Sequence, residues 1–275
     1  MKHRRTGRFL SRNKEAVNWN KKRELYYFSF FILLLFVVDY PFLDKAVTGF
    51  LVNYETVHVS RIIDGDTIIG NNESIRLLGI NTPERGEKYY SEAKEFLESL
   101  ILNKTVQLKF GKDKKDRYNR TLAYIFLGNK NINLEIVENG FANYYFPEGK
   151  DAYHKSFQEV WKRCLEKEIN LCEISVNPCS QCIELKELNV KSQEIIFHNK
   201  CAFQCDLTNW EIKDEGRKKF VFPDFVLNGN DKITIKVGEG TNNNEILFWK
   251  DETYVWTKTG DTLFLRDEEG KLVLW

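Results

Sequence analysis

The stretch "DGDTIIGNNESIRLLGINTPE", residues 64–84, decides the fold of the first half of the chain. Two short apolar runs, 67–69 and 75–80, alternate like strands and are punctuated by glycines and asparagines. Alternation sends Ile75, Leu77 and Gly79 to one face and Arg76, Leu78 and Ile80 to the other. A strand arginine is expensive to bury, so Arg76 next to Asp64, Asp66 and Glu84 asks for a chemical reason.

Outward from this stretch, further strands are predicted over 57–63, 106–110 and 122–127, making five in all. "SEAKEFLESLIL" places Ala93, Phe96, Leu97, Leu100 and Ile101 on one helical face, with Ser91 as its expected cap. Two more helices are predicted, a short one over 133–140 closed by Gly140 and one over 151–169 that spaces Phe157, Val160, Trp161 and Cys164 at helical intervals. Five strands and three helices suit a five-stranded OB-type β-barrel, so the domain spanning 55–171 reads as α+β. The aperiodic linker 172–181 follows, and from 182 to 275 short strands recur with turn signals, the pattern of an all-β immunoglobulin-like sandwich.

A chain of 275 residues accommodates two such domains, and 42% apolar with 29% charged residues excludes wholesale disorder. The net charge of +1 is unevenly distributed. Residues 1–24 carry nine Lys and Arg against two Glu, a net +7, which leaves 32 basic against 38 acidic residues, a net −6, for the rest. A generally basic surface is excluded, and phosphate binding has to come from a local cluster. "YYFSFFILLLFVVDYPFL", residues 26–43, follows Lys21, Lys22 and Arg23, so 25–43 is expected to be an uncleaved transmembrane helix behind a basic cytoplasmic tail, 1–24. Both folded domains would then lie outside the cytoplasm, anchored to the membrane, or secreted if the segment is cleaved. A buried core helix is the third option. Six cysteines, all after residue 160, suit disulfides in such a compartment with connectivity open; a zinc site from Cys179, Cys182, Cys201 and Cys205 is the alternative, and Cys164 could be a buried thiol.

Asp64 and Asp66 flank Gly65 at a tight turn, and closely spaced oxygens suit a hard cation, although Asp-Gly is also an ordinary turn pair. "KFGKDKKDRYNRTLAY", residues 109–124, is the dense basic cluster of the soluble part, where Tyr118 offers a stacking face between Arg117 and Arg120. His3, His58, His154 and His198 show no ligand spacing, and Asn72, Asn103 and Asn119 begin glycosylation sequons.

"DGDT", "RLLGINTPE" and "DRYNRTLAY", in this order and spacing, resemble the staphylococcal nuclease (thermonuclease) family over 55–171. The resemblance implies a Ca²⁺-dependent endonuclease acting on DNA and/or RNA and leaving a 3′-phosphate. It places the metal ligands on Asp66, Asn81 and the Thr82 carbonyl, and the catalytic residues on Arg76, Glu84 and Arg120. Arg117 and Tyr118 would contact bound nucleotide, Asp64 would support the turn, and Tyr144 or Tyr145 matches a later nucleotide-contacting tyrosine more loosely. The family usually has aspartate at the position of Asn81, so the amide keeps an oxygen but removes a charge, and Ca²⁺ affinity is expected to fall roughly tenfold or more. "CDLTNWEIKDEG", "FVFPDFVLNGND" and "VWTKTGDTLFLRDEEGKLV" resemble the lamin-tail domain, which implies a binding or positioning module of unknown partner with Trp210 and Trp256 in its core. A barrel that has lost catalysis and only binds nucleic acid or a cell surface is the alternative function.

Overall fold

The computed structural model describes residues 23–24, 26–31, 55–147, 149–257 and 262–275. The tail 1–24 and the apolar segment 25–43 lie almost wholly outside the described residues. Residues 23–24 and 26–31 are helical and exposed, and among the described residues no helix is long and apolar enough to cross a membrane.

Five strands close a barrel: β1 (Glu55–Asp64), β2 (Thr67–Gly70), β3 (Glu73–Leu77), then, after the two-residue β4 (Ile80–Asn81), β5 (Thr105–Lys115) and β6 (Thr121–Leu127). Antiparallel pairing runs β3-β2-β1-β5-β6, and a parallel β3–β6 pairing, Arg76 opposite Leu122, seals the seam. The interior is filled by alternate residues of these strands, Val57, Val59, Ile68, Ile75, Leu108 and Ile125 among them, all almost fully buried.

Two glycines shape the wall where the opening stretch folds. A Cβ on Gly65 would lie 2.8 Å from Thr82 Cγ2 and 2.9 Å from Ala93 Cβ, so the Asp-Gly-Asp turn packs against the next loop as only glycine allows. Gly79 has φ +75 and packs against the Phe157 ring. The predicted strand over 75–80 therefore stops at Leu77, and the chain turns before Asn81 and Thr82. Ile75, Arg76 and Leu77 are all buried; the Arg76 guanidinium lies against Asp66 and Asn81.

Helix α1 (Tyr90–Ile101) buries Ala93, Leu97 and Ile101 on the predicted face. Its cap is Tyr89, in the left-handed region without a side-chain bond, and Ser91 lies inside the helix, correcting the predicted cap. After β7 (Lys130–Asn131), α2 (Ile132–Glu138) is capped by the Asn131 side chain, which accepts from Asn133 N and Leu134 N. After β8 (Asn143–Tyr144), α3 (His154–Lys167) buries Phe157, Val160, Trp161 and Cys164, and its Cys164 is tied to Cys172 by a disulfide.

Beyond residue 182 the chain forms two four-stranded sheets, as a sandwich requires. In chain order the strands are β9 (Ile183–Asn189), β10 (Glu194–Asn199), β11 (Cys205–Asp206), β12 (Glu211–Lys213), β13 (Lys219–Val221), β14 (Val226–Leu227), β15 (Lys232–Val237), β16 (Ile246–Trp249), β17 (Phe264–Arg266) and β18 (Leu272–Leu274). One sheet runs β16-β15-β10-β9 and the other β13-β12-β17-β18. Trp210 and Trp256 are both fully buried in the core between them. Cys179–Cys205 and Cys182–Cys201 are disulfides, so the four sulfurs proposed for zinc are consumed and Cys164 is no free thiol.

The sandwich and the barrel share packed surface. Phe264 and Leu272 join the barrel-side core, with the Phe264 ring 5.7 Å from that of Trp161 and 6.5 Å from that of Tyr144. Buried Arg266 donates from Nη1 to the Leu171 carbonyl at 2.7 Å, and Ser175 donates to Asp267 at 2.6 Å. Apolar burial and these two hydrogen bonds together fix one half on the other.

Candidate active site

The turn between β1 and β2 delivers Asp66, β3 delivers Arg76, and the turn at Gly79 brings Asn81 and Thr82 back beside them. All four are buried. Arg76 Nη2 lies 2.9 Å from Asp66 Oδ2 and donates to Asn81 Oδ1 at 3.1 Å, so one positive nitrogen joins two oxygens from different elements. Asp66 Oδ2 also accepts from Thr82 N at 3.1 Å and Thr82 Oγ1 at 3.0 Å, while Oδ1 accepts from Thr67 Oγ1 at 3.0 Å. Arg76 Nη1 donates to the Leu77 carbonyl at 3.0 Å. A buried ion pair is favourable only with its remaining groups satisfied, and here they are.

Asp64 accepts from Asp66 N at 3.1 Å and so shapes the turn. Burial, reinforced by repulsion from Asp66, pushes its carboxyl up to about 6.

A second group forms on the connection from β5 to β6. Asp116 organises it, accepting from Tyr118 N at 2.9 Å, Arg120 N at 2.9 Å and Arg120 Nε at 2.7 Å. Burial works to raise the Asp116 carboxyl but is outweighed by these bonds, which hold it below its ordinary value. Tyr118 is exposed, with the Arg117 guanidinium 4.8 Å and that of Arg120 5.4 Å from its ring centre. Two cations thus flank an open aromatic face. The parallel register puts Leu122 opposite Arg76, and Arg120 sits on the connection just before that strand begins at Thr121. Among the described residues no hydrogen bond or ion pair joins the Asp66 group to the Arg120 group.

Glu84 stands apart from both. It follows Thr82-Pro83 on the loop before α1, half-exposed, and its Oε1 lies 2.7 Å from Nε of Arg217, a residue of the sandwich. Asn81 also reaches across, donating from Nδ2 to the Gly216 carbonyl at 2.7 Å. Nothing in the local sequence signalled these partners, which lie more than 130 residues further along the chain. Of the two tyrosines, Tyr144 is buried and bonded to Thr262, so it belongs to the packed interface, whereas Tyr145 is only half-buried.

The geometry has relatives. The chain is 34% identical over 145 residues to the thermonuclease of Staphylococcus intermedius, an alignment covering 49% of this chain and 84% of that protein. The chain belongs to the staphylococcal nuclease family. The thermonuclease of Staphylococcus hyicus is 33% identical over 141 residues, 48% of this chain and 82% of that one. An uncharacterized endonuclease of Haemophilus influenzae is 37% identical over 109 residues, 38% of this chain and 60% of its own length. The pattern of the family described as "Staphylococcal nuclease homologue" matches residues 74–172, and that of "Lamin Tail Domain" matches 180–275. This staphylococcal nuclease homologue is therefore an enzyme, a nuclease that cleaves phosphodiester bonds, with a lamin-tail domain following the nuclease fold.

Family membership implies Ca²⁺, and the residues present can be tested for it. Among the described residues no group of three His, Cys, Asp or Glu side chains is set to hold a metal. The candidate donors here are of another kind: one carboxylate, Asp66, one amide oxygen, Asn81 Oδ1, and the Thr82 carbonyl. All are oxygens, as a hard cation prefers. Asp66 Oδ2 and Asn81 Oδ1 already converge on the single positive nitrogen of Arg76. The donor set thus fits a hard cation in its chemistry, with one formal charge fewer than two carboxylates would supply.

Proposed function

We propose that this nuclease hydrolyses DNA and/or RNA with Ca²⁺ as cofactor, with Arg76, Glu84 and Arg120 as its catalytic residues. The observation that carries this reading is the arginine nitrogen held between Asp66 and Asn81. Opposed oxygens collect positive charge where a phosphate must bind, with a carboxylate, Glu84, on the same loop as Asn81 and Thr82.

Phosphodiester hydrolysis gathers negative charge on the non-bridging phosphate oxygens, and guanidiniums stabilise it through paired N–H donors. Arg76 supplies such donors from β3, and Arg120 from the connection that leads into β6. Glu84 takes the proton of the attacking water, for which its half-exposed position leaves access. The bond from phosphorus to the 5′ oxygen then breaks, leaving the 3′-phosphate that family resemblance implies. Arg117 and Tyr118 bind a flanking phosphate and sugar or base, and Asp64 fixes the turn that carries Asp66. Asp66, Asn81 and the Thr82 carbonyl would hold Ca²⁺, which supplies positive charge to the phosphate.

Three disulfides suit an oxidising compartment. With the basic-flanked apolar segment 25–43, they support a location outside the cytoplasm, attached to the membrane. The lamin-tail domain serves as a binding or positioning module.

The full chain incubated with single-stranded DNA and with RNA, in Ca²⁺ or chelator, tests this. Ca²⁺-dependent cleavage that drops by orders of magnitude in Glu84→Gln is expected; no cleavage by the wild type in any condition refutes it. A second reading, a nucleic-acid-binding protein with a blocked centre, draws on the Arg217–Glu84 ion pair. Binding without cleavage in the same experiment would favour it.

A further inference from the structure

The turn between β12 and β13 of the lamin-tail domain lies on the loop that carries Glu84. Arg217 Nε meets Glu84 Oε1 at 2.7 Å, and Gly216 O accepts from Asn81 Nδ2 at 2.7 Å. A third contact works through Glu87. Its Oε2 accepts from the backbone N of Glu84 at 2.8 Å and pairs with Lys213 Nζ, itself largely buried, at 2.7 Å. Lys219 adds a longer contact to Glu87 at 3.7 Å. The Lys213 charge, helped by Lys219, holds the Glu87 carboxyl below its ordinary value despite burial.

Asn81 and the loop 82–87 are thus held from the second domain at the side chains of Asn81, Glu84 and Glu87, and Glu87 in turn holds the Glu84 backbone from within the loop. That domain is not free to swing away, because Phe264 and Leu272 sit in the barrel-side core and Arg266 is bonded to Leu171. A contact set in a fixed, packed interface is part of the site and not a passing cover.

We infer that the lamin-tail domain completes the nuclease centre, with Arg217 and Lys213 as positioning residues that hold Glu84 where it can take a proton from water. Lys213 acts through Glu87, and Arg217 through the Glu84 carboxylate. The inference rests on Glu84 as the general base. Arg217 meets Glu84 through its Nε edge alone, so a lysine, a point charge of similar reach, can substitute for it; recognition of a phosphate by the planar guanidinium fork would not survive that change.

The test uses the full chain, with a single-stranded oligonucleotide and saturating Ca²⁺. Arg217→Ala should lower kcat about tenfold, as misplacing a catalytic group does, and leave KM within about twofold. Its melting temperature should stay within about 2 °C of wild type, since the side chain is exposed. Arg217→Lys should restore most of the loss. In a Glu84→Gln background, assayed at high enzyme concentration, Arg217→Ala should change the residual rate by less than about twofold, because nothing remains for it to position. Lys213→Met should show the same loss of kcat and the same insensitivity in the Glu84→Gln background, but with a larger fall in melting temperature, because its ion pair with Glu87 is largely buried. An unchanged or raised kcat in Arg217→Ala, or a loss that persists in the Glu84→Gln background, would overturn the inference. Wild-type turnover in Glu84→Gln alone would sink the general-base assignment first, and the two failures are told apart by which single variant shows them.

Discussion

Asn81→Asp restores the residue the family usually carries, and the structure predicts that it costs stability before it gains metal. Asn81 is 2% exposed, and its Nδ2 donates to the Gly216 carbonyl at 2.7 Å while its Oδ1 accepts from Arg76 at 3.1 Å. Aspartate has no donor, so the Gly216 carbonyl loses its partner and faces a carboxylate, a loss of roughly 1–3 kcal/mol. The new carboxylate also shares Arg76 Nη2 with Asp66. The two oxygens are 2.9 and 3.1 Å from that nitrogen, which puts them no more than about 6 Å apart and sets their repulsion near 3 kcal/mol at an effective dielectric of about 20. A charge-assisted bond from Arg76 returns roughly 1.5–3 kcal/mol.

The net expectation in chelator is a destabilisation of about 3 kcal/mol, or about 6–12 °C in Tm for a body of this size. Ca²⁺ offsets the repulsion it binds between, so its stabilising increment should be larger in the variant. A tenfold tighter site adds about 1.4 kcal/mol at saturation, equivalent to roughly 3–5 °C. Thermal unfolding of both proteins in chelator and in saturating Ca²⁺ measures all four values without reference to activity. A variant as stable as wild type in chelator would refute the role given to the Asn81–Gly216 bond. Equal Ca²⁺ increments would refute the placement of the cation.

Two further outcomes follow from the same reasoning. Replacing Cys179 and Cys205 together by alanine removes the outer of two nested crosslinks; with Cys182–Cys201 still closed, a loop of only about nine residues is released, which should cost roughly 2.5 kcal/mol, read as a lower denaturant midpoint of the unreduced protein, and an unchanged midpoint would contradict that crosslink. Glu138, hydrogen-bonded by Arg163 and Lys167, has its carboxyl lowered from 4.5 to about 2. A folded value below the unfolded one contributes stability above about pH 4.5 that is lost as pH falls toward 2, so Glu138→Gln should flatten the acid limb of the stability profile in that window, and an unaltered limb would exclude the contribution.

The barrel was legible because its information is local. Alternation fixed the strands, the 3.6-residue spacing of Ala93, Leu97 and Ile101 fixed a helix face, and the order of three short motifs fixed which residues converge. Asp66, Arg76, Asn81 and Thr82 do meet, as the family resemblance implied, and Arg117, Tyr118 and Arg120 form one cluster, as their closeness in sequence implied. Details decided by tertiary closure were not legible. Arg76 is buried where Asn81 turns back beside it and bonds to Gly216 of the second domain, Ser91 loses the cap position because Tyr89 turns the chain left-handed, and Tyr144 faces the interface because Phe264 arrives from far along the chain. Which cysteines pair is likewise a matter of which loops the sandwich brings together.

The largest omission concerned Asn81 itself. Judged as a metal ligand alone, the amide looks like a weakened aspartate. Judged with the second domain in place, it is the residue able to do two opposed things at once, accepting from Arg76 and donating to Gly216. With the lamin-tail domain packed against the 82–87 loop, a donor at position 81 and a cation opposite Glu84 are parts of one interface, so the amide of Asn81 meets a demand from the Gly216 carbonyl that a carboxylate, which has no donor, could not meet.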